Sequence, residues 1–465
     1  MKPTDYFSLA GMGITRIVAC HRRISLRLTM PATRFAWLAT FTKPLAFAWL
    51  AGLLLFGALV GRADTHYVSR YGTNDSATGY ITWTGAATNI QLAVDAASND
   101  DTVLVTNGTY DTGGGLSNPG GGFISSNRVY VGKAITIRSV NGASVTIIKG
   151  APDPITGECG SNAVRCVSLW DAASLIGFTL TNGYSATGDN SWQKVGGGLW
   201  LNNASAVASN CVIVGNYSAR LGGGVNLMAG TLDSCTVSNN WSGSYGGGIR
   251  CSGSGSSAIN NSVISSNYAG SGGGGIFCDG GAPTTMIKNC TVVGNYSAFD
   301  GGGVQIHYTD GTVRNCLIVS NTSDNHAGGV FFGGAIGEGV GLLENCTVAG
   351  NSSGVRIADK GVLTNCIVWG NSGYNFSINA GGTVSYTCSS PKETGTGNTG
   401  DDPQFVDTNS GNYRLTSGSP CVNAGTNQDW MTNAVDLDGK IRIRYNTVDM
   451  GTYETIYKGT IFTGF

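Results

Sequence analysis

Aromatic, guanidinium and amide side chains stand at the same place in successive repeats of this chain. Each lies at the centre of an apolar–x–apolar triplet that follows a glycine cluster. The column consists of Trp200, Asn226, Arg250, Phe277, Gln305, Phe331 and Arg356, of which all but Asn226 are candidates for ligand binding. Aromatic faces stack on sugar rings, and guanidinium and amide groups hydrogen-bond to sugar hydroxyls. We predict an outward ligand-binding column; alternatively, loops cover the rings and the column is structural.

A carboxylate and an imidazole occupy the next outward position in two adjacent repeats. Asp279 and His307 each follow their column residue by two positions, so a β-strand places them on the same face. A carboxylate one repeat away can orient an imidazole for proton transfer. Asp279 and His307 are therefore the candidates for a catalytic pair.

The repeat that carries these residues predicts a stack of coils. Glycine clusters from Gly196 to Gly354 recur at intervals of about 24 to 28 residues. Apolar residues alternate within short runs, as in β-strands, and one such unit cannot bury them alone. We predict an all-β, right-handed, single-stranded parallel β-helix, its hand following the rule for parallel connections.

Three sets of inward positions follow from the alternation. The first set consists of the pairs Leu199/Leu201, Val225/Leu227, Ile249/Cys251, Ile276/Cys278, Val304/Ile306, Val330/Phe332 and Val355/Ile357. The second consists of Cys211/Ile213, Cys235/Val237, Ser262/Ile264, Cys290/Val292, Cys316/Ile318, Cys346/Val348 and Cys366/Val368. The third consists of Leu232, Ile259, Ile287, Val313, Leu343 and Leu363.

Two columns of asparagine mark the corners of the predicted coils. One asparagine precedes the inward cysteine of most repeats, as Asn210 precedes Cys211, and another follows it by five positions, as in Asn216. Asparagine tolerates left-handed backbone, and its amide can bond to the asparagine of the next coil. We expect both columns to lie at turns and to form ladders.

Apart from Cys20 in the predicted targeting segment, the 13 cysteines divide into two groups. Most belong to the inward column, where Ser262 replaces one of them, and we expect these to be buried free thiols. Four others lie outside that column and are candidates for disulfides in an exported protein. They are Cys159 with Cys166, and Cys388 with Cys421.

Composition excludes several classes of partner. The net charge is −1 without a basic run, so nucleic acid is not expected. None of the four histidines has metal-ligand spacing, and the acidic residues of the repeats are too sparse for a calcium cluster. We expect a monomer without a metal or other cofactor.

Residues 1–63 are predicted to be a targeting segment. Leu45 to Gly61 carries no charge, Arg34 and Lys43 precede it, and small residues permit cleavage after Ala63. The alternative is a retained membrane anchor, which would be the chain's one membrane contact. We also expect translation to start at Met30.

Residues 64–150 are predicted to form a cap and the first coils, followed by the repeats over 151–378. The cap region, with His66-Tyr67-Val68-Ser69, the run Asn89 to Ala97 and the run Asp101 to Tyr110, resembles the start of secreted pectate-lyase-like β-helix proteins. That resemblance implies a short helix over the open end of the first coil. The helix would bury Ile90, Ala93, Val94 and Ala97.

Residues 379–465 resemble the choice-of-anchor Q domain of bacterial surface and secreted β-helix proteins. The matching motifs are Asp402 to Val406, Asn412 to Leu415, Ser419 to Gly425, Asp436 to Gly439 and Val448 to Glu454. The repeats themselves are similar to those of polymorphic outer membrane proteins. The resemblance implies a small C-terminal domain, although no long apolar sorting tail follows Glu454.

These features favour an exported protein, secreted or held at the outer membrane or cell surface. We expect it to be non-catalytic and to present a rigid, adhesin-like face to a polysaccharide or cell-surface glycan. The alternative is a polysaccharide lyase or glycoside hydrolase with an atypical site, because the motif sets of polygalacturonase-type β-helices do not occur in context. Fold alone does not decide between the two.

Overall fold

The computed structural model describes residues 63–117, 124–188, 191–253, 255–280, 285–333, 340–358, 360–379 and 381–456. Within these ranges the chain winds into successive coils, and each strand pairs in parallel with its equivalent one coil later. The predicted parallel β-helix is therefore confirmed. Apart from Ala63, the predicted targeting segment lies outside the described residues.

Sheet A contains two columns of parallel strands. The first column consists of Ser125–Val131, Val164–Leu169, Leu199–Ser209, Val225–Asp233, Ile249–Cys251, Ile276–Cys278, Val304–His307, Val330–Gly333, Val355–Ile357 and Phe376–Ile378. The second consists of Thr65–Val68, Thr102–Val105, Thr136–Ser139, Ser174–Ile176, Ser257–Asn260, Thr285–Lys288, Gly311–Arg314, Gly341–Glu344, Gly361–Thr364 and Gly382–Ser385. Leu199–Ser209 and Val225–Asp233 run through both columns, and Gly115–Ser117 pairs antiparallel with Ser125–Val131.

Sheet B forms a further side of the coils, and sheet C adds short strands in five of them. Sheet B consists of Gly108–Tyr110, Thr146–Lys149, Thr179–Thr181, Val212–Val214, Thr236–Ser238, Val263–Ser265, Thr291–Val293, Leu317–Val319, Thr347–Ala349, Ile367–Trp369 and Cys388–Ser389. Sheet C consists of Tyr217–Ser218, Trp241–Ser242, Tyr268–Ala269, Tyr296–Ser297 and Thr322–Ser323. Short 3₁₀-helices span Ser191–Lys194, Thr408–Ser410 and Asp429–Met431.

The core runs along the inside of the coils as one continuous cluster. All of the predicted inward apolar residues belong to it and are buried, and Ser262 is buried beside them. A fully buried Val, Leu or Ile contributes about 1.5–3 kcal/mol. Because each coil covers the next, the inward columns stabilise the stack as a whole.

The two asparagine columns differ in backbone conformation. Those that precede the cysteines are left-handed, with φ of 53° at Asn210 and 55° at Asn289. In the second column the left-handed residue is the one before, as at Gly215, so the expected left-handed asparagine is wrong there. The ladder itself is confirmed, since the side-chain Nδ2 of Asn216 donates to Oδ1 of Asn240 at 3.0 Å.

The predicted capping helix spans Ile90–Ala96. Asn89 caps it by accepting a hydrogen bond from the backbone N–H of Leu92 at 3.1 Å. The predicted face of the helix is confirmed, because Ile90, Ala93, Val94 and Ala97 are all buried in the main core. The helix therefore covers the apolar end of the first coils, which would otherwise be exposed.

The C-terminal region packs on the outer face of sheet B. Parallel strands continue to Cys388–Ser389, so the coils extend beyond the predicted boundary at residue 378. Phe405–Asp407 and Asn412–Leu415 then form an antiparallel pair. Two apolar clusters join this region to the coils. They consist of Tyr413 and Tyr453 on Leu317, Val319 and Ala349, and of Leu415, Cys421 and Met450 on Ile367 and Cys388.

Every cysteine among the described residues is a free thiol, so the two predicted disulfides are wrong. Cys159 lies on a loop with its sulfur 3.7 Å from the carbonyl of Tyr217, whereas Cys166 lies in the core. Cys388 and Cys421 lie in the same apolar cluster, and the Cys388 thiol donates to the carbonyl of Asp401 at 3.2 Å. The expectation of free thiols in the inward column is confirmed.

Candidate functional site

A groove of about 460 Å³ opens on the outer side of sheet A. It is lined by Val195, Arg220, Leu221, Tyr245, Arg250, Phe277, Asp279, Gly280, His307 and Tyr308. These residues come from consecutive coils, whose strands are spaced about 4.8 Å apart. Four residues predicted from the sequence, Arg250, Phe277, Asp279 and His307, therefore meet in one place.

An ion pair fixes the polar side of the groove. Arg250 donates from Nη2 to Oδ2 of Asp279 at 2.8 Å and from Nε to the same oxygen at 3.3 Å. Its Nη1 donates to Oδ1 of Asn226 at 3.2 Å. Neighbours on both sides thus hold Arg250, whereas the buried Oδ1 of Asp279 has no hydrogen-bond partner among the described residues.

Aromatic rings form the apolar side of the groove. The rings of Tyr245 and Phe277 stack at 4.5 Å between centroids, and the Phe277 and His307 rings are 6.2 Å apart. Tyr308 meets His307 edge to face at 3.9 Å. Because these rings lie at different angles to one another, the apolar side of the groove is not a single flat surface.

Tyr308 lies at the exposed rim of the groove in a left-handed conformation, with φ of 56°. A bulky residue rarely adopts this backbone, which costs about 1–3 kcal/mol. Such strain concentrates at binding and active sites. Tyr80 and Tyr386, which lie outside the groove, share this conformation, so it does not by itself identify Tyr308 as a binding residue.

Burial shifts the two titratable groups of the groove in opposite directions. Burial raises the pKa of Asp279, although Arg250 opposes the change. Burial lowers the pKa of His307, against the fields of Asp279 and Asp300. His307 is therefore neutral near pH 7. The expectation that Asp279 orients His307 is wrong, because the Asp279 carboxylate hydrogen-bonds to Arg250.

The predicted column is less exposed than expected. Trp200 is 1% exposed because Trp170 packs on it edge to face at 5.2 Å and Arg165 lies 5.1 Å from its ring centroid. The prediction of an exposed Trp200 is therefore wrong, and the alternative of a covered ring holds at this residue. Arg250, Phe277, Gln305 and Phe331 are also buried, so the expected exposure fails along most of the column.

Arg356, the last residue of the predicted column, does not line the groove. Arg356 is half-buried, and its Nε has no hydrogen-bond partner among the described residues. Ligand binding stays a prediction for Arg250 and Phe277, which line the groove.

A second column of groove residues was not identified from the sequence. The residue at the corner before each glycine cluster pairs with its equivalent one coil later. These residues are Val195, Leu221, Tyr245, Gly272, Asp300 and His326. The first three line the groove, and Asp300 accepts a hydrogen bond from Nδ1 of His326 at 2.8 Å. These residues could have been identified from the sequence, because each stands at a fixed position before a glycine cluster.

Another cleft, of about 470 Å³, lies between the C-terminal region and sheet B. Trp369, Asp402 and Tyr413 are among the residues that line it. No basic side chain or imidazole is among the described lining residues, so this cleft offers fewer chemical groups than the groove on sheet A. Separately, no helix within the described ranges has the length and apolar content needed to cross a membrane.

Comparison with known proteins identifies the class of fold. Residues 197–392 match the family model of the right-handed β-helix region. The crystal structure of pectate lyase Pel9A superposes with a TM-score of 0.52 at 15% identity, covering 84% of this chain and 97% of that one. The protein therefore has the right-handed parallel β-helix fold that was predicted.

Two pectin methylesterases are also similar to this chain. The Aspergillus niger enzyme in deglycosylated form has a TM-score of 0.34 at 13% identity, covering 69% of this chain and 86% of its own. PemA from Erwinia chrysanthemi has a TM-score of 0.31 at 15% identity, covering 65% and 81%. None of the curated proteins compared with this chain matches it.

Proposed function

We propose that this protein is exported and binds an extended polysaccharide along the groove on sheet A without transforming it. The observation that carries the proposal is the groove itself, where the rings of Tyr245, Phe277 and Tyr308 lie beside the Arg250–Asp279 ion pair. Rings supply apolar surface for a sugar, and fixed polar groups supply orientation. Coils about 4.8 Å apart extend this surface over several sugar units.

The charge of the groove favours an acidic polysaccharide. Arg250 and Asp279 neutralise each other, whereas the exposed Arg220 has no ion pair among the described residues. A guanidinium binds a carboxylate in a two-point geometry. The chain's fold is similar to that of a protein named pectate lyase, so polygalacturonate is the first ligand to test.

Affinity electrophoresis of the full chain in polygalacturonate gels tests the proposal. Arg220→Gln and Tyr308→Ala should each weaken binding by about 5- to 30-fold, corresponding to about 1–2 kcal/mol. Tyr71→Ala, which removes a ring that is 96% exposed in the cap, is the matched control and should bind like the unaltered protein. Equal retardation of all four proteins, or none, would contradict the proposal.

An enzymatic function is the second candidate. It is favoured by the unpartnered Oδ1 of Asp279 and by the neutral imidazole of His307 in the same groove. A polysaccharide lyase or glycosidase that uses His307 for proton transfer should lose at least about 10²-fold in turnover in His307→Gln. Reducing-end and unsaturated-product assays on polygalacturonate distinguish this function, because a binding protein produces neither signal.

Export and surface attachment belong to the same proposal. The apolar run from Leu45 to Gly61 and the motifs of residues 379–465 support a secreted or surface-held protein. Expression of the full chain in a Gram-negative host, followed by fractionation and N-terminal sequencing, should give a mature chain that begins at Asp64. Recovery of the uncleaved chain in the cytoplasm would contradict export.

A further inference from the structure

A second group of aromatic residues lies on sheet C, away from the groove. Tyr217, Trp241 and Tyr268 are 38%, 39% and 36% exposed, and each pairs in register with the next coil. Tyr184 and Tyr296 extend the column at its two ends. We call these five residues the aromatic ladder.

The ladder is interrupted at one step. Ring contacts join Tyr184 to Tyr217 at 4.8 Å, and Trp241 to Tyr268 at 6.0 Å with an interplanar angle of 5°. Tyr217 and Trp241 are partners in register, yet within the described residues no ring contact joins them. The indole lies over Gly243, with its Cη2 3.5 Å from where a Cβ would stand. One face of Trp241 is therefore not covered by a neighbouring ring.

A cavity of about 490 Å³ opens at this interruption. The residues that line it include Tyr184, Tyr217, Trp241, Glu158 and Cys159. The cavity is thus a confined space beside an uncovered indole face, large enough for one or two sugar units.

The loop of residues 153–162, which carries Glu158, is held in a defined shape by hydrogen bonds. Asp153 accepts hydrogen bonds from the backbone N–H groups of Ile155 at 2.8 Å and Asn162 at 2.7 Å. The backbone N–H of Asp153 also donates to the carbonyl of Glu158 at 2.8 Å. The loop is therefore fixed at both ends, and Glu158 projects from an ordered turn.

We propose that this cavity is a second saccharide site, which takes a neutral pyranose. The apolar face of a pyranose would stack on Trp241, and its hydroxyls would donate to the carboxylate of Glu158. No basic side chain is among the described residues that line the cavity, so Glu158 repels a uronate. The groove on sheet A, with Arg220 and Arg250, has the opposite preference. The proposal goes beyond the proposed function and does not depend on it.

Ligand-detected saturation-transfer NMR on the full chain tests the site. The probes are methyl β-D-glucopyranoside, methyl β-D-galactopyranoside and D-galacturonate. At least one neutral glycoside should bind, and Trp241→Ala should weaken it about 10-fold or more. Tyr268→Ala is the matched control, since Tyr268 belongs to the ladder but does not line the cavity, and Tyr308→Ala reports on the groove. Neither should change binding of the neutral glycoside.

Glu158→Gln removes the charge of this side chain but keeps its shape, so it tests the role of the charge. It should weaken the neutral glycoside several-fold and allow galacturonate to enter the cavity, because the repelling charge is gone. Saturation transfer to galacturonate that Tyr308→Ala does not abolish would show that entry.

Alkylation of Cys159 gives a readout that does not depend on any variant. Cys159 is the one cysteine among the described residues that is not buried, and it lines the cavity. Burial raises the pKa of its thiol, so the reaction with iodoacetamide is run at alkaline pH, where the thiolate fraction is larger. The neutral glycoside should slow this alkylation, followed by mass spectrometry, and galacturonate should not.

Three outcomes would overturn the proposal. The first is that neither neutral glycoside binds or protects Cys159. The second is that Trp241→Ala and Tyr268→Ala weaken binding equally, which would place the ligand along the whole ladder. The third is that Tyr308→Ala abolishes binding, which would place the neutral glycoside in the groove. Failure of polygalacturonate binding in the groove leaves this test unaffected.

Discussion

The two aromatic clusters of this protein lie on different faces of the same coils and are built in opposite ways. On sheet C the outward residue is aromatic in every coil from Tyr217 to Tyr296, so most rings stack on one another. On sheet A the outward residue changes from Arg250 to Phe277 to Gln305 between coils. Aromatic neighbours on sheet C mostly cover each other's faces, whereas the unlike neighbours on sheet A leave a groove between them.

The comparison shows where a repeat protein acquires a site. In a regular column, each side chain contacts the equivalent side chain one coil away, so the contacts are made within the column. A cavity opens where the column is interrupted, as it is by Asp279 in the groove and between Tyr217 and Trp241 in the ladder. Departures from the repeat, rather than the repeat itself, therefore indicate the residues to test.

The largest effect should come from breaking the core that both clusters share. Val304 is fully buried between Ile276 and Val330 of the neighbouring coils. Val304→Asp places an unpaired charge there, at a cost of several kcal/mol. We expect loss of soluble, folded protein, measured as yield and as the melting temperature of any remainder.

The control for this change is Thr312→Asp, which places the same charge at a partly exposed outward position of the same coil. It should retain nearly normal yield. An unchanged melting temperature in Val304→Asp would show that the inward assignment is wrong.

The next largest effect should come from the buried asparagine ladder beneath sheet C. Oδ1 of Asn267 accepts from both the backbone N–H and Nδ2 of Asn240, at 3.0 Å each, and its own Nδ2 donates to the carbonyl of Val237 at 2.9 Å. Asn267→Ala leaves buried groups without partners, which costs about 2–4 kcal/mol. Denaturant unfolding should show that loss, whereas Asn325→Ala, at an exposed position, should show almost none.

A smaller effect is expected within the ladder alone. Tyr268 lies between the rings of Trp241, at 6.0 Å, and Tyr296, at 5.3 Å. Tyr268→Ala removes both ring pairs and should lower the free energy of unfolding by about 1–2 kcal/mol. Tyr268→Phe keeps the rings and should be nearly neutral. Reduced polygalacturonate binding in a folded Tyr268→Ala would contradict the separation of the two clusters.

The smallest effect concerns the pH dependence of the groove. Because the pKa of His307 is lowered from 6.5 in the folded protein, the unfolded chain takes up the proton first. Stability contributed by this group above pH 6.5 is therefore lost as the pH falls through 6.5 toward the folded pKa. His307→Gln should flatten the change in unfolding free energy between about pH 7 and pH 5.5. An unchanged pH slope in the variant would contradict the assignment.

Asp279 contributes with the opposite sign. Its pKa is raised from 3.8, so its contribution favours the folded protein at low pH and is lost as the pH rises from 3.8 through the folded pKa. Because the two contributions have opposite signs, the pH dependence of the unfolding free energy should be compared in His307→Gln and in Asp279→Asn. Together, the two variants show which group governs the change in unfolding free energy at acid pH.

The coil interior could be predicted from the sequence because it depends on local pattern. Alternation, as in Val304 and Ile306, identifies inward residues, and a position before each cysteine identifies the left-handed corner. The capping helix follows from spacing alone, since Ile90, Ala93 and Val94 share one face. These features need no knowledge of distant parts of the chain.

The outer surface could not be predicted in the same way, because distant segments decide what covers it. Trp170 covers Trp200, and no repeat pattern marks that contact. The docking of the C-terminal region does leave a signal in the sequence. The outward residues of sheet B change from Thr236 and Ser238 to Leu317 and Val319 where Tyr413 packs. A change in polarity along an outward column therefore predicts a covered face.

The stacked cysteines have a consequence for the timing of maturation. Burial raises the pKa of the Cys316 and Cys366 thiols well above the usual range, and disulfide formation proceeds through the thiolate. Once the coils are stacked, these sulfurs are protected from oxidants without any reductant. Before stacking, the same sulfurs are exposed in a chain of 13 cysteines. If the chain is exported to an oxidising compartment as proposed, stacking of the coils must precede disulfide formation for these thiols to stay reduced.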